Sequence, residues 1–252
     1  MRPPVVVLHA PGTNRDREAA WAASLAGGDP RIEHVAEVLR EPSRIRDARM
    51  IILPGGFSYG DDLGAGRVLA ARLARFDALL DHVERGRPVL GICNGFQVLV
   101  KAGFLPGEPD GSPEATPSVS LTRNTPSGFT CRWTRLAADP LSPCVFTDGL
   151  DEVDAPCAHG EGRLIVQDDA TLARIEREHL VPLRYATASD NPNGSVGGLA
   201  SLTNRRGTVL GLMPHPEDHV RADQHPNPDR DRKGHLGLAL FRSGLRYAAQ
   251  VD

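Results

Sequence analysis

Two short runs of the chain hold side chains that could attack an acyl group and move protons around it. The first is Gly91-Ile92-Cys93-Asn94-Gly95-Phe96-Gln97. Before it, the apolar Pro88-Val89-Leu90-Gly91-Ile92 reads as a buried strand. After it, Phe96, Val98, Leu99 and Ala102 recur at helical spacing. Cys93 is therefore expected where a strand turns sharply into a helix, as in the G-x-S-x-G elbow with sulfur in place of oxygen. Flanking glycines let such a turn form without a Cβ clash, and a helix N-terminus favours the reactive thiolate. The plain alternative is a buried structural cysteine, since cysteine is among the most buried residue types.

The second run is Pro214-His215-Pro216-Glu217. Its prolines disfavour a helix, and on an extended backbone His215 and Glu217 would point to the same side. Glu217 could then hold one ring nitrogen and leave the other facing a thiol, which is the logic of nucleophile, base and orienting carboxylate. For H-P-E alone a solvated surface turn is the default. Metal binding by His215 and His219 would need a helix that Pro216 opposes, so no metal site is expected. Acyl transfer also needs preset donors for an oxyanion. The backbone N–H groups of Gly56 and of Asn94 are the candidates, although Gly55-Gly56 could equally be a tight turn. There is no G-x-x-x-x-G-K-[ST] and no well-placed G-x-G-x-x-G, so no site for ATP or a dinucleotide is found.

The elements that must position these groups alternate. Val5 to His9 reads as a strand ending in the turn Pro11-Gly12-Thr13-Asn14, followed by a helix from about Arg15 to Leu25. Ile32 to Val38 is a weaker strand, and Arg49 to Leu53 a third, closed by Pro54-Gly55-Gly56. A long helix over about 67–85 leads to the elbow strand. This rhythm predicts an α/β fold, a mostly parallel sheet covered on both faces. Ligands of such sheets sit beyond the carboxyl ends of the strands, where Gly55-Gly56 and Cys93 both fall. After Leu105 a Pro-rich loop and two β-like runs, at 118–121 and 129–136, read as an antiparallel excursion, a β-rich stretch of about 106–166 within a single domain spanning 1–252; residues 148–156 have no clear character, and His159-Gly160-Glu161-Gly162 breaks the chain before Arg163-Leu164-Ile165-Val166. A helix over 169–179, a strand at 183–186, a hairpin around Asn204-Arg205-Arg206-Gly207 and a closing helix over 232–247 complete the chain.

Bulk composition excludes several classes. The 252 residues carry a net charge of −3, which leaves no electrostatic footprint for nucleic acid. No apolar stretch approaches the roughly 20 residues of a membrane span, and the N-terminus lacks a signal-peptide pattern. The four cysteines are scattered without a C-x-x-C pair, which fits a reducing cytoplasm better than a disulfide or zinc framework.

Gly91 to Gln97 together with Pro214 to Glu217 resembles the class I (triad) glutamine amidotransferases. Further runs narrow the resemblance to the glutaminase subunits of phosphoribosylformylglycinamidine synthase. They are Pro54-Gly55-Gly56-Phe57-Ser58-Tyr59-Gly60-Asp61, Thr122-Arg123-Asn124, His159-Gly160-Glu161-Gly162, Asn191-Pro192-Asn193-Gly194-Ser195 and Met213-Pro214-His215-Pro216-Glu217. The similarity extends from the first strand to at least Glu217. It implies a flavodoxin-like three-layer sandwich that hydrolyses L-glutamine and needs no cofactor of its own. It further implies that ammonia passes to a separate ATP-using synthetase subunit, usually with a small third subunit, to convert formylglycinamide ribonucleotide to its amidine in purine synthesis. On that resemblance Cys93 is the nucleophile, His215 the acid and base, and Glu217 its orienting partner. Gln97, Arg123, His159 and Glu161 become candidates for the glutamine pocket. The sequence departs from such relatives at Pro11-Gly12-Thr13-Asn14-Arg15, where a cysteine is common, at Asp218-His219 after the triad segment, and in a longer loop near 108–117. Another class I amidotransferase, a free-standing γ-glutamyl hydrolase, or a non-catalytic module on the same fold are the competing readings. Modules of the last kind usually place a histidine directly after the nucleophile, where this chain has Asn94.

Overall fold

The strands at the centre of the molecule have no polar side to show. Met50–Leu53 and Val89–Ile92 are buried at every position, the pattern of strands covered on both faces. The computed structural model describes residues 2–107, 118–227 and 235–251. Most of the expected Pro-rich loop and the start of the expected closing helix lie outside the described residues.

The elements run β1 (Pro4–His9), α1 (Asp16–Leu25), β2 (Asp29–His34), α2 (Val35–Arg40), α3 (Ser43–Arg46), β3 (Met50–Leu53), α4 (Arg67–Leu73), α5 (Asp77–Glu84), β4 (Val89–Ile92) and α6 (Asn94–Lys101). Then come β5 (Val119–Thr122), β6 (Thr130–Ala138), β7 (Glu152–His159), β8 (Arg163–Val166), α7 (Asp169–Arg177), β9 (Leu183–Tyr185), β10 (Ser201–Thr203), β11 (Val209–Leu212) and α8 (Leu238–Ala248). No helix among the described residues is long and apolar enough to cross a membrane.

Two expected elements are divided. The strand expected over 32–38 ends at His34, whose Nδ1 accepts a hydrogen bond from Ala36 N at 3.1 Å and caps α2. The single helix expected over 67–85 is broken between α4 and α5. There Phe76 leaves the helical conformation and is buried in the core, and Leu79 and Leu80 donate to its carbonyl.

The central sheet has the order β10-β11-β4-β3-β1-β2, parallel throughout except for β10 against β11. The chain leaves β1 in one direction, through α1 to β2, and then returns past β1 to β3 and onward to β4 and β11. Right-handed crossovers in opposite directions put their helices on opposite faces. Accordingly α1 packs with α8, while α4 packs with α6 and α3 with α5. The reversal lies between β1 and β3, and it opens a crevice beyond their carboxyl ends. An isolated bridge between Thr13 and Gly56 ties the two following loops together there.

The antiparallel excursion forms two small sheets, β5-β8 and β7-β6-β9. It reaches further than the 106–166 expected, because β9 pairs with the end of β6 through Leu136–Tyr185 and its neighbours. Leu136, Val153 and Leu164 from these strands belong to the same hydrophobic cluster as the central sheet. His215 N donates to Pro156 O at 2.7 Å, so β7 is fastened to the segment that follows β11.

Candidate active site

Cys93 sits at the N-cap of α6 with φ 51° and ψ −103°. A left-handed backbone at a non-glycine residue costs roughly 1–3 kcal/mol and persists only where the surroundings fix it. Here they do: Cys93 N donates to Leu212 O at 2.8 Å, and Gln97 N donates to Cys93 O at 3.1 Å. The flanking glycines serve close packing, not positive φ. A Cβ on Gly95 would lie 1.9 Å from Leu53 O, and one on Gly91 would lie 2.5 Å from Leu99 Cδ1. The helix behind the cysteine is buried from Asn94 to Val100, so the elbow is anchored on both sides.

His215 and Glu217 follow β11, the strand that pairs with β4. The expected extended backbone is not what holds them. Pro216–Asp218 forms a 3-10 turn with proline at its start, a position where its missing N–H costs nothing. The turn still brings the two side chains together, at 2.7 Å between His215 Nδ1 and Glu217 Oε1. A carboxylate only accepts, so Nδ1 carries the proton and Nε2 is left as the basic nitrogen. Nε2 is buried without a hydrogen-bond partner among the described residues. His215 lines the same cavity as Cys93. Burial alone would push the imidazole pKa down; Glu217 and Cys93 outweigh it and raise it well above the usual histidine range. His215, Glu217 and Asp218 offer three potential ligand atoms within 4.8 Å of one another. However, the His215–Glu217 contact has hydrogen-bond length and leaves no room for an ion between them.

The cavity holds about 250 Å³ and lies at the switch point of the sheet. From the loop after β1 it takes Asn14 and Arg15, and from the loop after β3 it takes Gly56, Phe57 and Asp61. The elbow supplies Cys93 and Gln97, and the end of β7 supplies Ala158, His159, Gly160 and Glu161. Gly56 adopts φ +139°, and a Cβ there would lie 2.7 Å from Asn14 N; any larger residue would push the two loops apart. Among the described residues neither Gly56 N nor Asn94 N finds a backbone acceptor, which leaves both donors for a ligand.

Of the residues chosen from sequence, Gln97, His159 and Glu161 line the cavity and Arg123 does not. Gln97 Nε2 donates to Glu161 O at 2.7 Å. Burial, followed by the charge of His215, lowers the His159 pKa to about 4, so this ring is neutral at pH 7 beside a raised one. Arg123 is exposed. Its neighbour Asn124 is the residue that turns inward: it is buried, its Nδ2 donates to His159 O at 2.8 Å, and its Oδ1 accepts from Gly162 N at 2.9 Å. Asn193 supports the same loop through Gly162 O at 2.8 Å. Asn14, Arg15, Phe57, Asp61 and Phe129 do not stand out in the sequence as site residues. For the first two the available signal is their place just after the first strand; for Phe57 and Asp61 it is their membership of the Gly-Gly-Phe-Ser-Tyr-Gly-Asp run.

A cysteine beside a carboxylate-oriented imidazole, with two unspent backbone donors nearby, can attack a carbonyl, hold the oxyanion and shuttle a proton. Comparison with known proteins points to one kind of acyl transfer. Residues 2–248 match the family of the CobB/CobQ-like glutamine amidotransferase domain. The chain is 40% identical over 260 residues to phosphoribosylformylglycinamidine synthase subunit PurQ of Dehalococcoides mccartyi, covering 98% of each chain. It is 38% identical to the subunit of that name from Treponema denticola, over 98% of this chain and 99% of that one. Among solved structures, PurLQS from Thermotoga maritima is similar with a TM-score of 0.76 at 33% identity, covering 98% of this chain and 99% of the other. A glutamine amidotransferase from Thermotoga maritima shares the fold, with a TM-score of 0.57 at 15% identity over 99% of each chain.

Proposed function

From the premise that the chain belongs to the CobB/CobQ-like glutamine amidotransferase family, we propose that it is a PurQ-type glutaminase subunit in which Cys93, His215 and Glu217 form the catalytic triad. It hydrolyses L-glutamine and feeds ammonia to a PurL-type synthetase partner in purine biosynthesis. That partner uses ATP to convert formylglycinamide ribonucleotide to formylglycinamidine ribonucleotide, with a small third subunit in the complex. The chain is read as a single domain, supported by the one hydrophobic cluster that runs through sheet and excursion. Its free cysteines suit a reducing cytoplasm.

His215 Nε2 takes the thiol proton, and Cys93 Sγ attacks the carboxamide carbon of glutamine. The oxyanion that forms is met by the Gly56 and Asn94 N–H groups. His215 then gives its proton to the leaving nitrogen, ammonia departs, and a γ-glutamyl thioester remains. A water molecule gives its proton to His215 and attacks the thioester; the returning proton frees Cys93 and glutamate. Glu217 holds the ring in one tautomer and stabilises its charged form at each proton transfer. Gln97, His159 and Glu161 contact the amino-acid end of the substrate; no such role is proposed for Arg123. Thiol, imidazole and water suffice for these steps, so no cofactor is assigned to this chain.

The observation that carries the proposal is the shared cavity of Cys93 and a His215 ring whose far nitrogen is fixed by Glu217. Its test is a glutamine-analogue electrophile followed by peptide mapping. Label is expected on Cys93 and absent from Cys93→Ser; label on Cys131, Cys144 or Cys157 in place of Cys93 would sink the triad. Glutaminase turnover should rise when the synthetase, ATP and the acceptor nucleotide are added. Equal turnover with and without them would favour a free-standing γ-glutamyl hydrolase.

A further inference from the structure

The loop that carries Gly56 is held in an unfavourable backbone. Tyr59, Asp61 and Leu63 have φ of 55°, 55° and 64°, alongside Gly60, Gly64 and Gly66 in the same region. Three non-glycine residues in this state within five positions will relax unless something external holds them. Backbone contacts with the loop after β1 hold one end: Phe57 N donates to Gly12 O at 2.9 Å, and Tyr59 N donates to Pro11 O. From the elbow helix, Lys101 Nζ reaches the far part of the loop at Ala65 O, 2.6 Å away, and Asn94 holds the part next to Gly56. Asn94 Oδ1 accepts from Ser58 N at 3.2 Å, while Asn94 Nδ2 donates to Asp61 Oδ1 at 3.3 Å and to Gln97 Oε1 at 3.0 Å.

Asn94 is 3% exposed and is not among the residues that line the cavity. An amide buried this deeply is costly unless its groups are paired, and its bonds go to the loop and to its own helix. Its backbone N–H is one of the two oxyanion donors proposed above, and the loop it grips begins two residues before Ser58 with the other, Gly56. The side chain therefore spans the gap whose width the oxyanion would sense. Through Gln97, which reaches Glu161 O, the same amide also connects to the end of β7.

We infer that the Asn94 side chain is a positioning residue: it braces the Gly56 loop against the nucleophile elbow and sets the spacing of the two oxyanion donors without touching substrate. The inference rests on the glutaminase reading and deepens it. A brace of this kind acts on the tetrahedral state more than on bound glutamine, because only the tetrahedral state places its oxygen between the donors. Its loss should lower kcat and leave KM nearly unchanged.

The test uses Asn94→Leu, which removes every polar contact, in the assembled complex with the synthetase. The expected result is a kcat for glutamine hydrolysis lower by about 10- to 100-fold, below the ~10²–10³-fold cost of deleting an oxyanion donor outright. KM should stay within about threefold. Affinity for glutamate γ-semialdehyde, which forms a tetrahedral adduct on the thiol, should fall by the same factor as kcat. The rate of Cys93 alkylation by iodoacetamide, which needs no oxyanion donors, should stay at the wild-type value. If Asn94→Leu does not fold, as judged by its thermal midpoint, Asn94→Ser carries the test with the same four readouts. An unchanged kcat, a rise in KM alone, or an alkylation rate that falls together with kcat each overturns the brace. A wild-type complex that releases no glutamate from glutamine overturns the glutaminase reading and the brace with it, whereas an active wild type beside an unimpaired variant overturns the brace alone.

Discussion

Two cavities at opposite ends of the central sheet differ in size in the direction opposite to their chemistry. The larger, about 520 Å³, lies where the parallel strands begin, between the loop 139–151 and the last turn of α8. There Val145 N donates to Gly207 O just before β11. The smaller, about 250 Å³, lies where the strands end. Two of the carboxylates that line the larger cavity are engaged in surface pairs, Asp148 with Arg246 at 3.0 Å and Asp139 with His179 at 2.9 Å. Its cysteine, Cys144, is fully buried, and burial raises its thiol pKa. The smaller cavity is lined by Cys93, His215 and Gly56, with the Asn94 N–H in the adjoining first turn of α6. Volume does not single out the cavity that holds the candidate triad; the convergence of these groups does.

The buried histidines divide in the same way. Burial takes His82 and His159 down to about 4, whereas His215, equally buried, goes up because Glu217 and Cys93 lie against it. Identical side chains at similar depth thus shift in opposite directions, and the difference is the presence of an anionic partner.

The largest break of this comparison is His215→Ala. Turnover of the complex with glutamine should fall by about 10²–10⁴-fold, the usual contribution of acid–base catalysis, and steady-state glutamate release measures it. Full activity in that variant would remove His215 from the mechanism and make the two ends of the sheet chemically equivalent.

A smaller effect separates the two classes of histidine by pH. His82 and His159 have folded pKa values below the unfolded value, so the unfolded chain binds more protons between pH 6.5 and about 4. Stability is then lost as pH falls through that window, by at most about 3 kcal/mol for each ring. His215 has the opposite sign: its contribution is complete below its unfolded value of 6.5 and is lost as pH rises through the raised folded value. His82→Gln should flatten the acid side of the stability curve, measured by urea unfolding at several pH values below 7. A curve with the wild-type slope would show that His82 is not held neutral.

The smallest expected effect tests the larger cavity. Asp151→Ala, on its lining, should leave glutamine turnover within about twofold of wild type, as for a surface change remote from the chemistry. A change of an order of magnitude would mean that the two ends of the sheet are coupled.

Much of this site is legible in one dimension because its parts are local. Cys93 needs a strand before it, a helix after it and glycines beside it, and all of these are contiguous. His215 and Glu217 lie two residues apart, so their pairing survives although the backbone is a 3-10 turn and not the extended run expected. The Pro54-Gly55-Gly56 turn after a buried apolar strand is legible for the same reason. A motif gives no facing: in Thr122-Arg123-Asn124, Arg123 is exposed and the buried member is Asn124, fixed by contacts with His159 and Gly162 that come from another strand. Asn14 and Arg15 enter the cavity only because the sheet reverses between β1 and β3. The break between α4 and α5 was hidden because Phe76 fits a helical pattern and leaves it only to reach the core.

By itself the sequence determined the alternation of strands and helices in its first half, the apolar runs that must be buried on both faces, and the two short segments able to attack and to move protons. Their residue types and near-neighbour spacing carry that information directly. Only the tertiary structure decided which loops close around the cavity and in which direction the pKa of each buried imidazole moves. Those outcomes depend on desolvation and on charges brought together from distant parts of the chain, and both exist only once the sheet has closed its strands side by side.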